Sequence, residues 1–206
     1  MNTKPTLTCR QLHNHDWSTA ESIGFQQAWL PSPQPELRPT TVRTAWRDDA
    51  LLVQAELSDA DIFNPVTGFN SMFYEKGDVF EIFLRPTTQD AYSEIHIGPD
   101  NQKLQLRFPR AGILGTRPIQ EFLISNPVIV SRVELLPAQN LWKVSAEIPF
   151  ALVQEAGPVR PGTQWLFSFS RYDYTRGQVQ PVLSSSSPHQ KLNYHRQEEW
   201  GTLTFA

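Results

Sequence analysis

GDVFEIFLRP, residues 77–86, sets two carboxylates in an otherwise apolar run bounded by Gly77 and Pro86. Read with a period of two, Val79, Glu81 and Phe83 share one face of a strand while Phe80, Ile82 and Leu84 fill the other. A lone carboxylate on such a face must meet something polar. Beyond a short loop, Tyr92, Glu94 and His96 alternate with Ser93, Ile95 and Ile97. Further on, Lys103, Gln105 and Arg107 alternate with Leu104, Leu106 and Phe108. The pattern predicts consecutive strands whose hydrogen-bonding side chains share a common face, which is how a sheet builds a binding surface.

Outward from this stretch the chain reads as strands broken by turn residues. Residues 41–46 and 51–57 pair across Asp48-Asp49 as a hairpin, and further strands are expected at 92–97, 103–108, 121–126, 128–135, 142–148, 165–172 and 200–205. Only 149–156 reads as helical, with Pro149 suited to a first turn. Residues 31–39, PSPQPELRP, hold four prolines and read as an extended connector. The expected fold is all-β, an antiparallel β-sandwich with jelly-roll or immunoglobulin-like layers and at most one or two short helices. One domain over 1–206 is expected, with residues 1–40 packed onto it.

The chain has 206 residues, a formal net charge of -3 and no Lys/Arg run, so nothing in it favours nucleic acid or an anionic membrane. Cys9 is the only cysteine, which rules out an intramolecular disulfide and a multi-cysteine zinc site. No apolar stretch has the length of a signal peptide or a membrane span. As written the chain reads as cytoplasmic, and an exported or mature-domain origin fits equally. His13 and His15 would project on one side of a strand, without an identifiable third metal ligand.

The succession TVRTAWRDDALLVQAELSD (41–59), GDVFEIFLRP (77–86), YSEIHIGPDN (92–101), LWKVSAEIPF (141–150), PGTQWLFSFSRYDY (161–174) and HRQEEWGTLTF (195–205) resembles the family 9 carbohydrate-binding modules and the wider DOMON-like β-sandwich group. The resemblance implies a non-catalytic module holding a mono- or oligosaccharide between aromatic rings and polar side chains. It places Phe73 or Tyr74 as the stacking ring and Glu81 as the strand acid. Where the family often has an Asn ahead of the strand-ending Arg, this chain has Ser168 ahead of Arg171. Where a second stacking Trp is expected, it reads Ser184-Ser185-Ser186-Ser187-Pro188-His189, leaving His189 or Tyr194 to cap a ring. Structural calcium is implied as well, with Asp59, Asp61 and Asn64 as oxygen donors.

A pyranose presents apolar C–H faces and a rim of hydroxyls, so an aromatic platform with charged and amide groups suits it. The expected ligand-binding set is Phe73, Tyr74, Glu81, Glu94, Gln105, Arg107, Arg171 and His189. Other readings stay open. In one, Glu81 pairs with Arg107 or Arg171 on an ordinary solvated face. In a second, Glu81 and Glu94 serve a glycan-processing enzyme or an accessory domain of one. In a third, a DOMON-like domain binds haem through Met72 with His96 or His189, and a fourth is a plain protein-interaction domain. Trp46, Trp142 and Trp165 are expected in the core, and Trp200 at an edge.

Overall fold

The computed structural model describes residues 3–206, so the first two residues of the expected domain lie outside it. Its strands are β1 (Thr6–Gln11), β2 (Ser22–Gly24), β3 (Thr40–Arg47), β4 (Ala50–Ser58), β5 (Val79–Pro86), β6 (Tyr92–Ile97), β7 (Lys103–Phe108), β8 (Val130–Leu136), β9 (Leu141–Pro149), β10 (Gln164–Asp173), β11 (Val182–Ser185) and β12 (Gly201–Phe205). One helical turn, α1 (Phe150–Val153), stands where the helix is expected, directly after Pro149. The all-β sandwich is the observed fold.

Two sheets form its layers. The first runs β7-β6-β5-β10-β12-β1, with β11 beside β10; the second runs β3-β4-β9-β8, with β2 beside β3. Most pairs are antiparallel, as predicted, but β1 pairs parallel with both neighbours. Thr6 to Cys9 lie against Thr202 to Phe205 of β12, and then Arg10 and Gln11 lie against Ala45 and Trp46 of β3. One strand therefore belongs to both layers.

The two inner faces meet in a core of Phe80, Ile82, Leu84, Ile95, Ile97, Phe167 and Phe169 from the first sheet and Val53, Leu57, Trp142, Val144 and Ile148 from the second. Trp46, Trp142, Trp165 and Trp200 are all buried, as the apolar neighbours of the first three require. The sheets differ on their outer faces. β9 alternates between buried and partly exposed positions, whereas β5 and β6 are buried almost throughout. An antiparallel sheet solvated on one face alternates, and one covered on both does not.

The cover over the first sheet is a second apolar cluster: Val79, Phe83, Tyr92, Leu104, Leu106 and Phe108 from its strands, with Phe73, Ile113, Phe122, Tyr194 and Trp200 from the connecting segments. Residues 121–126, expected as a strand, instead end a 3₁₀ turn (Ile119–Phe122) and contribute one isolated bridge, Leu123 to Leu106. Pro118 caps that turn and steers the segment across the sheet face. Gly77 starts β5 by close approach: a Cβ there would come within 2.6 Å of Asn64 Cα and Phe63 O.

Candidate functional site

Cross-strand partners in an antiparallel ladder share a face. Glu81 lies opposite His96, and Phe83 opposite Glu94, so these four project together from β5 and β6 onto the outer face of the first sheet. Tyr172, opposite Val79, and Leu183, opposite Tyr172, extend the same face through β10 and β11. With Tyr74, Leu114, Ile119 and the segment Leu192-Asn193-Tyr194-His195 they line an open cavity of about 400 Å³. Ligand clefts commonly measure about 300–1,000 Å³.

At its floor, His96 Nε2 stands 2.6 Å from Glu94 Oε1 and 3.2 Å from Glu81 Oε1. His195 Nε2 lies 3.6 Å from the other Glu94 oxygen, while its Nδ1 is 2.8 Å from the Tyr92 hydroxyl. Glu81 Oε2, Glu94 Oε2 and His96 Nδ1 are buried and have no hydrogen-bond partner among the described residues. Burial pushes Glu81 up to about 8, the Glu94 charge adding to the effect and His96 opposing it. Against its own desolvation, Glu94 is held below its ordinary value by the His96 hydrogen bond and charge and by His195. Desolvation disfavours the His96 cation, yet Glu81 and Glu94 together raise its pKa. Burial thus favours the neutral form of Glu81, while Glu94 and His96 each favour the charge of the other.

The aromatic walls are phenols and one phenyl ring. Tyr74 meets His96 edge-on at 5.4 Å between centroids and Tyr172 at 6.0 Å. Phe83 meets His195 edge-on at 5.3 Å. Desolvation raises the pKa of Tyr74, Tyr172 and Tyr194, so their hydroxyls stay neutral. The cavity thus offers neutral aromatic faces around a compact donor–acceptor centre.

Of the expected ligand-binding set, Tyr74, Glu81 and Glu94 line this cavity. Phe73 is fully buried in the second cluster, leaving Tyr74 as the ring that reaches the opening. Gln105 and Arg107 lie on the opposite face, because β7 pairs so that Gln105 faces Ile95 and Arg107 faces Ser93. Gln105 accepts from the Val128 and Ile129 amides and donates to Asn126 O; Arg107 donates to Ser93, Leu152, Val153 and Glu155. Arg171, beside Phe80, also points to that side and holds Thr40, Asp59 and Asp173. His189 is fully buried and bonded to Glu199 rather than to the cavity. The pairing of Glu81 with an arginine does not occur; its partner is His96.

The expected calcium donors are engaged elsewhere. Asp59 binds Arg38 and Arg171, Asp61 binds Arg176, and Asn64 bonds Val66 N, Phe73 O and Asp78 O. Guanidinium groups supply positive charge beside Asp59 and Asp61. His13 and His15 are exposed in the turn after β1. His96, expected on the polar face of its strand and as a haem ligand with Met72, lines the cavity, and so does His195, which the expected binding set does not include. His96 carries a signal, its alternation with Glu94; His195 carries none, since only the fold brings it beside Tyr92.

No protein-family model and no curated protein matches the chain. Solved structures do. A candidate carbohydrate-binding protein from Bacteroides uniformis ATCC 8492 superposes with a TM-score of 0.79 at 16% identity, covering 99% of this chain and 100% of that one. A family 9 carbohydrate-binding module from Caldicellulosiruptor kristjanssonii in complex with cellotriose gives 0.69 at 17% identity, over 98% and 93% of the two chains. Its glucose complex gives 0.67 at 15%, over 98% and 96%. The chain shares the fold of the family 9 carbohydrate-binding modules.

Proposed function

We propose that the protein binds a carbohydrate in the cavity on the outer face of its first sheet. One observation carries the reading: an open cavity of about 400 Å³ combines the Tyr74, Phe83, Tyr172 and Tyr194 rings with a buried Glu81–His96–Glu94 centre. Aromatic faces suit the C–H faces of a pyranose. The Glu81 and Glu94 oxygens that lack a hydrogen-bond partner among the described residues suit two neighbouring hydroxyls, each able to give and take a hydrogen bond. The likeness in fold to modules solved with glucose and cellotriose supports the same class of ligand.

Isothermal titration with glucose and cellotriose tests this. The unaltered chain should bind at least one of them, and Tyr74→Ala should weaken binding about fivefold or more, the equivalent of about 1 kcal/mol of ring contact. Glu94→Gln should weaken it further, with its folding checked by thermal melting. Heat signals that are absent for both sugars, or unchanged in both variants, would overturn the proposal.

A further inference from the structure

Two sets of acidic and imidazole groups in this fold bring their ligand atoms within 4.8 Å of one another: Asp59, Asp78 and Asp173, and Glu81, Glu94 and His96. The first is already neutralised. Arg38 bonds Asp59 and Asp173, both at 2.8 Å, and Arg171 reaches the same two residues at 3.0 and 3.2 Å. Asp78 accepts from the Phe63 and Tyr174 amides. The second set has no guanidinium or ammonium partner among the described residues, and it lies at the floor of an open cavity.

We propose that this floor is a divalent transition-metal site, with Glu81, Glu94, His96 Nε2 and His195 Nε2 as ligands and Zn²⁺ as the fitting ion. Geometry carries the assignment. Four ligands at about 2.0–2.2 Å around zinc lie about 3.3–3.6 Å from one another in a tetrahedron. His96 Nε2 stands 3.2 Å from Glu81 Oε1 and 2.6 Å from Glu94 Oε1, and His195 Nε2 stands 3.6 Å from Glu94 Oε2. Glu81, Glu94 and His96 already place ligand atoms within 4.8 Å of one another, and His195, which meets the set through Glu94 Oε2, would turn toward them to complete it.

Independent of these spacings, Glu81 Oε2 and Glu94 Oε2 have no hydrogen-bond partner among the described residues, although their side chains are only 3% and 7% exposed. A buried carboxylate oxygen left without a partner is costly, and a cation supplies one. Tyr92 provides outer support: its hydroxyl at 2.8 Å from His195 Nδ1 can accept that N–H, leaving Nε2 with a lone pair toward Glu94. Two imidazoles with two carboxylates suit zinc, whereas calcium takes six to eight oxygens.

The test uses the full chain after dialysis against a chelator, titrated calorimetrically with ZnCl₂ and, in parallel, with CaCl₂. Cobalt(II) serves as the optical probe, since a tetrahedral site gives it intense visible absorption. The expected result is one zinc per chain, a cobalt spectrum displaced by zinc, and much weaker binding of calcium. His195→Gln should lower zinc affinity at least about tenfold, and Tyr92→Phe should lower it measurably through the ring it orients. Thermal melting in chelator would show that both variants fold, and His13→Ala/His15→Ala should leave the affinity unchanged.

Absence of zinc binding would overturn the proposal, as would binding that survives His195→Gln or vanishes in the His13/His15 variant. Sugar titrations with chelator and with zinc keep this result separate from the carbohydrate reading, because either ligand can bind without the other.

Discussion

Gln105 and Glu94 are both buried polar residues of neighbouring strands, yet one faces the cavity and the other props up the core. The difference is measurable. Gln105 accepts two backbone amides, at 3.2 and 3.0 Å, and donates to Asn126 O at 3.0 Å. Gln105→Ala strands those buried groups and should lower stability by about 2–3 kcal/mol. Sugar affinity, compared at a temperature where the variant is folded, should not change. A denaturant melt alongside calorimetry checks both halves, and a loss of affinity with intact stability would contradict the placement of this side chain.

Glu199 offers a residue-scale link to pH. Arg196 donates to both of its oxygens at 2.8 Å, and His189 and the Gln190 amide add further contacts. Chiefly through the Arg196 hydrogen bonds, and against some desolvation, its pKa falls to about 2 in the folded chain. An unfolded glutamate titrates near about 4.3. The folded value is the lower one, so the stabilisation is present above about pH 4.3 and lost as pH falls toward about 2. Relative to the unaltered chain, Glu199→Gln should be about 1 kcal/mol less stable at neutral pH, a figure reduced for screening by solvent. Melting curves between about pH 6 and pH 3 should show that gap narrowing on the acid side; a constant gap would refute the assignment.

At the scale of elements, alternation located most strands because each apolar row had a core to face. It located β5, β6 and β10 within a residue or two. It failed where two faces were equally plausible. In β7, Leu104 and Leu106 point toward the cavity-side cluster while Gln105 and Arg107 point inward to cap loop backbone. A period of two cannot tell inside from outside when both sides are covered, and a one-residue change in pairing exchanges them. The short strands β1, β2 and β11 escaped notice because neither their length nor their composition stands out from the turns around them. Tyr74, Glu81 and Glu94, with Tyr194 as a ring cap, are cavity-lining residues that the sequence already named; Leu192, Asn193 and His195 are not, since the approach of their segment to β6 is purely tertiary.

β10 also holds the buried charge cluster. Arg171 is 1% exposed and bonds Asp59 and Asp173, which are 0% and 4% exposed in their side chains. Removing one member of such a set leaves uncompensated charge in a dry environment. Arg171→Met should therefore cost about 3–5 kcal/mol in a urea melt. An effect below about 1 kcal/mol would mean that Arg38 alone satisfies both carboxylates.

Across the whole molecule the division of labour is between two faces of one sheet. Its inner face makes the core with the second layer, and its outer face, roofed by the segments around Ile119 and Tyr194, leaves a cavity instead of packing shut. β1 ties the layers together through its successive pairing with β12 and β3. Because β1 and β12 run in the same direction, the chain enters this pair at one end and leaves it at the other. Tension applied between the two ends of the chain would load the intervening backbone hydrogen bonds side by side rather than peel them one after another. A chain tethered at both ends would resist pulling at this parallel pair.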